Sequence, residues 1–160
     1  AGKVLRRMFP GSGHRTILRI DPAGERNTIL KTLRFAIDLH RNPARYTDKP
    51  YAVGAEAYTA WIGAVRKGCG ASHGNWWNGT VWAECRGRAS EYFAEIAASH
   101  PEVATDARVL ADEFKAIAEA LGRASDKNLD PREKIALLEG AGSRETASLA
   151  MIEAIAAALG

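Results

Sequence analysis

Three of the four tryptophans in this 160-residue chain, Trp76, Trp77 and Trp82, fall within seven positions. Trp76 and Trp77 lie in the run Ser72-His73-Gly74-Asn75-Trp76-Trp77-Asn78, and Glu84 and Cys85 follow Trp82 closely. Indole faces supply apolar binding area, and neighbouring amides, an imidazole and a carboxylate can orient what rests on them. On a helix, adjacent Trp76 and Trp77 point about 100° apart and cannot share one narrow stripe. One of them is expected at the surface, near a helix start where Gly74 and Asn75 would leave backbone N–H groups free to hold an anion. Trp61 and Trp82, at bundle spacing, are expected in the core.

Covalent catalysis has thinner support. Cys69 and His73 are four apart in a glycine-rich loop and could meet as thiol and base, but a reactive thiol needs an electropositive niche. Cys69 reads as an exposed loop thiol, with Arg66 and Lys67 close by in sequence. Cys85 falls on an apolar stripe and is expected buried and inert. Cys69, His73, Cys85 and Glu84 lack a closing pair at zinc spacing, so no metal and no cofactor are expected. Glu56 precedes Tyr58 by two residues, and Glu84 follows Trp82 by two. If their helices pack antiparallel, the two carboxylates could share a polar pocket, the arrangement that acid–base chemistry exploits. The expected ligand-binding set is Glu56, Tyr58, Trp61, His73, Asn75, Trp76, Trp77, Asn78, Trp82 and Glu84, with no catalytic residue. Asn78-Gly79-Thr80 fits the glycosylation pattern but falls within a predicted helix.

The elements that must position these residues follow from periodicity and breakers. Lys3 to Phe9 and His14 to Ile20 are short β-prone runs around Pro10-Gly11-Ser12-Gly13, which predicts a hairpin over 1–22. Asn27 or Thr28 then caps a helix with Ile29, Leu33, Ile37 and His40 on one face, ending at Asn42-Pro43. A second helix spans 51–67, burying Tyr58, Trp61, Ile62 and Val65. A third starts near Asn75 and reaches Ser99, with Trp77, Val81, Cys85, Ala89, Tyr92 or Phe93, and Ile96 at helical period. A fourth begins at Pro101 and carries Val103, Ala107, Leu110, Phe114, Ile117 and Leu121, with Gly122 as its C-cap. Asp130-Pro131 opens a fifth, which Gly140-Ala141-Gly142 breaks. Ser143 opens a last helix with Leu149, Ile152, Ala156 and Leu159. The fold class is mainly α: a hairpin, then an antiparallel bundle of five to six helices over 26–160, in one domain.

Composition limits the function classes. A hydrophobic fraction of 46% suits a globular core, and a net charge of +3 with no recognition motif argues against nucleic acid. No apolar run is long enough to span a membrane. Two cysteines are too few for a disulfide scaffold, which together with the lack of a signal-peptide core places the chain in the cytoplasm. A start at Ala1 rather than Met suggests processing or a chain cut from a longer protein.

Ile29 to His40 with Asn42-Pro43, then Gly54-Ala55-Glu56-Ala57-Tyr58-Thr59-Ala60-Trp61-Ile62, then Asn75 and Trp82-Ala83-Glu84-Cys85-Arg86, together resemble the C-terminal helical region of bacterial proteins similar to butirosin biosynthesis protein H. The resemblance covers roughly 14–100. In that group the helical region follows a papain-like cysteine domain, and the type protein is an acyltransferase with an acyl carrier protein donor. The nucleophile lies in that preceding domain, so the resemblance assigns no catalytic role to Cys69 or Cys85. The expected function is an accessory or ligand-binding module that holds a small molecule or an acyl or peptidyl group at the tryptophan-rich surface. The alternatives are the C-terminal part of an acyltransferase or cysteine-peptidase-like enzyme, inactive alone, and a homodimeric interaction protein paired through the hairpin.

Overall fold

The structure is a computed structural model and describes residues 22–47 and 51–160. Five helices follow one another: α1 (Pro22–Arg41), α2 (Ala55–Arg66), α3 (His73–Ser99), α4 (Ala104–Ala124) and α5 (Pro131–Leu159). Short 3-10 turns at Pro43–Arg45, Cys69–Ala71 and Pro101–Val103 link them. The expected hairpin is corrected, since among the described residues there is no strand; the helices there number five, within the expected five to six. Apart from Pro22, the segment assigned to the hairpin lies outside the described residues. Pro22 itself opens α1, several residues before the expected cap at Asn27 or Thr28. Its fixed φ suits the first helical position, where no N–H is needed.

The sixth helix disappears because α5 is continuous through Gly140-Ala141-Gly142. Glycine in a helix costs about 1 kcal/mol relative to alanine, which tertiary contact can offset. Gly142 lies against the Tyr58 ring of α2, where an added Cβ would come within 3.1 Å of Tyr58 Cγ. Asp130 caps α5 by accepting from the Arg132 and Glu133 amides at 2.8 and 3.4 Å. α4 carries its expected stripe: Ala107, Leu110, Phe114, Ile117 and Leu121 are all buried. It runs through Gly122 to Ala124, so Gly122 is not the C-cap.

Side-chain ties give the helix directions. Ser90 Oγ donates to Ala111 O at 2.7 Å and Asn75 Nδ2 to Ala124 O at 3.1 Å, so α3 and α4 are antiparallel. Arg144 with Glu113 and Arg123 with Glu133 set α4 antiparallel to α5. Arg26 Nε donates to Leu159 O at 2.8 Å, while His40 lies beside Glu145, so α1 runs antiparallel along the C-terminal half of α5. Tyr58 reaches Glu145 and Arg66 pairs with Glu139, so α2 runs antiparallel along the N-terminal half. The three long helices α3, α4 and α5 thus fill three positions of a bundle. The two shorter helices, α1 and α2, share the fourth end to end. Their junction falls over the middle of α5.

Two anchors hold the loops that deliver the site. Asp38 accepts from Asn42 Nδ2 at 2.6 Å, Arg45 Nη1 at 2.9 Å and the Tyr46 hydroxyl, which fixes the turn after α1. Lys134, 1% exposed, donates from Nζ to Gly70 O at 2.6 Å and Asp126 O at 2.7 Å. Burial holds its ammonium below the usual lysine range, against a smaller opposing pull from Asp126. It pins the turn just before α3.

Candidate functional site

The ten residues expected to bind a ligand separate into three groups. The first is exposed, at the start of α3. Trp76 is 37% and Trp77 55% exposed, and His73 is exposed with them. The rings pack on one another: His73 to Trp76 at 5.1 Å, Trp76 to Trp77 at 6.1 Å, and His73 stacked on Trp77 at 6.5 Å. Lys127 Nζ sits 5.7 Å from the Trp76 ring centroid, within cation–π range. Asn78 is also exposed. Both tryptophans face outward, not one as expected. Ser72 caps α3, its Oγ accepting from the Asn75 amide at 3.1 Å, so that amide is not free for an anion.

The second group is structural. Asn75 is buried, accepting from Trp61 Nε1 at 2.8 Å and donating to Ala124 O. Trp82 meets Tyr58 and Trp61 edge-on, each at 5.5 Å. These pairs tie α2, α3 and the end of α4 together, each aromatic contact adding about 1 kcal/mol beyond burial. Next to Asn75, Gly79 lets α3 approach Ser125, where an added Cβ would lie 2.6 Å from Ser125 Cβ. The face of α3 that meets the bundle is therefore Asn75, Gly79, Trp82, Arg86, then Phe93 and Ile96. The expected stripe through Trp77, Val81 and Cys85 is wrong in its first half: Trp77 and Cys85 are exposed. At this end the inward residues are polar or small, so hydrophobicity marks the wrong face.

The third group, Glu56 and Glu84, does not form the expected pocket: both are exposed. The buried carboxylate belongs to Glu145, 7% exposed in the middle of α5. Its Oε2 accepts from the Tyr58 hydroxyl at 2.7 Å and Arg86 Nε at 3.1 Å. Its Oε1 accepts from Arg86 Nη2 at 2.6 Å and lies 3.8 Å from His40 Nε2. Four helices thus converge on one side chain. Arg86 also lies over the Trp82 ring at 5.0 Å. Burial pulls the Arg86 guanidinium down, but the charge and hydrogen bonds of Glu145 outweigh it and hold it above its usual value. Burial first, then the Glu145 charge and hydrogen bond, push the Tyr58 phenol well above its ordinary range.

Beside this hub, at the junction of α1 and α2, is a cavity of about 180 Å³ lined by Leu39, His40, Val53, Trp82, Arg86 and Glu145 among others. A larger, open depression of about 510 Å³ lies between α2 and α5, lined by Ala55, Tyr58, Ile62, Leu138 and Thr146 among others. No group of three His, Cys, Asp or Glu side chains among the described residues could hold a metal.

Glu145 had a sequence signal. Lys134, Leu138, Ala141, Glu145, Ser148, Ile152, Ile155 and Leu159 alternate by four and three, and all are buried. Read through the glycines, that stripe places two charged residues at core positions, where each needs partners.

No protein-family model matches the chain. No curated protein and no solved structure matches it significantly.

Proposed function

We propose that the chain is a non-catalytic binding module that holds a small molecule, or an acyl or peptidyl group, against the His73–Trp76–Trp77 surface. The observation that carries this reading is the mutual packing of three aromatic rings that remain outside the core. Exposed tryptophan is uncommon, and it supplies large, stiff contact area where a partner is to be held. Lys127 and Asn78 bring a charge and an amide to the rim. The preference for an acyl or peptidyl group comes from the resemblance to the helical region that accompanies acyltransferase domains. Cys69 and Cys85, both exposed and free, suit a reducing compartment and so a cytoplasmic setting.

Titration with octanoyl-pantetheine, followed by tryptophan fluorescence, tests this. Saturable binding is expected, weakened about tenfold in Trp76→Ala and in Trp77→Ala. Absence of saturable binding, or binding unchanged in both variants, would remove the acyl reading of this surface.

A further inference from the structure

The cavity at the junction of α1 and α2 is distinct from the exposed aromatic surface. Trp76 and Arg86 stand ten residues apart on α3, about 15 Å along the helix. The cavity is lined by the end of α1, the residues that lead into α2, and Trp82, Arg86 and Glu145 of the facing helices. Its walls divide by chemistry. Leu39, Val53, Ala57 and the Trp82 ring are apolar, and Arg86, His40 and Glu145 are polar.

Glu145 has little left to offer a ligand, since both its oxygens accept from Tyr58 and Arg86. Arg86 is not exhausted. Nε and Nη2 are spent on Glu145, and Nη1 has no hydrogen-bond partner among the described residues. Its side chain is 21% exposed, and that of His40 18%. The start of α2 forms another wall at Gly54, which offers no side-chain cap; Gly54 O accepts from the Ala57 amide at 3.1 Å, and the Ala55 and Glu56 amides have no hydrogen-bond partner among the described residues. The uncommitted capacity is therefore on the donor side, next to an apolar wall. A volume of about 180 Å³ is about six waters' share of liquid, room for a carboxylate and a short alkyl chain.

We propose that this cavity binds a short-chain carboxylate. The carboxylate would receive hydrogen bonds from Arg86 Nη1 and His40, and the alkyl chain would lie against Trp82 and Leu39. Phosphate would satisfy the donors but would leave the apolar wall unmatched.

Calorimetric titration of the full chain with propionate, with inorganic phosphate as the comparison, tests the assignment. Propionate is expected to bind saturably and more tightly than phosphate. His40→Ala removes a donor and the imidazole 3.8 Å from Glu145 but leaves both Arg86–Glu145 hydrogen bonds in place, and is expected to weaken propionate about tenfold. Ala57→Leu fills the cavity from its apolar side and is expected to abolish binding while leaving circular dichroism unchanged. Trp76→Ala is expected to have no effect, which separates this site from the acyl-binding surface. Three results would overturn the proposal: no saturable propionate binding by the folded protein, phosphate binding as tightly, or full binding retained in both His40→Ala and folded Ala57→Leu.

Discussion

Glu145 is the residue on which the interior turns. It joins α1, α2 and α3 to the middle of α5, and its charge is balanced by Arg86. Removing one member of a buried pair leaves the other uncompensated, so Glu145→Ala is expected to cost about 3 kcal/mol in urea unfolding. Tyr58 adds a pH dependence whose sign follows from its raised pKa. The unfolded phenol loses its proton near pH 10 while the folded one keeps it. The stabilisation from Tyr58 is therefore complete below about pH 10 and is lost as pH rises toward the folded value. Urea midpoints from pH 8 to 11 are expected to show wild type more stable than Tyr58→Phe, with the difference narrowing above about pH 10. A constant difference across that range would contradict the buried, carboxylate-bonded environment of Tyr58.

At the scale of helices, glycines separate close contact from open space. Gly79→Ala would drive a Cβ to 2.6 Å from Ser125 Cβ and 2.9 Å from its Cα. Backbone must move, at a cost of about 1–3 kcal/mol. Gly140 has nothing within 4 Å of an added Cβ, so Gly140→Ala is expected to stabilise by about 0.5–1 kcal/mol through helix propensity. Opposite shifts in the urea midpoint check the pair. The same residues explain what the sequence made legible. The α2 face through Tyr58, Trp61, Ile62 and Val65 and the α4 stripe were readable because their inward residues are apolar. Local propensity makes Gly140-Ala141-Gly142 a break and so predicts two helices, whereas the Tyr58 ring makes Gly142 a contact within one. A break there hides the stripe that marks Glu145 and Lys134. In α3 Asn75 and Gly79 face inward to meet Trp61, Ala124 and Ser125, so the hydrophobic pattern points to the exposed Trp77 and away from the true inner face.

Across the whole molecule, the tryptophans sort into two roles. Trp61 and Trp82 belong to the packing between α2 and α3, and Trp76 and Trp77 contribute area at the surface. Among the described residues, no helix is long and apolar enough to cross a membrane. Trp76→Ala and Trp77→Ala are each expected to weaken ligand binding while destabilising the fold less than Trp61→Ala, because Trp61 is 8% exposed and they are 37% and 55% exposed. Trp61→Ala, which also strips Asn75 of a donor, is expected to cost about 3 kcal/mol or more. The most direct test of the binding-module account is the set of four indole N–H resonances, followed during an octanoyl-pantetheine titration. Progressive, saturable shifts of Trp76 and Trp77 are expected, with Trp61 unmoved in its bond to Asn75. Shifts confined to Trp61 or Trp82, or no shift in any of the four, would contradict it.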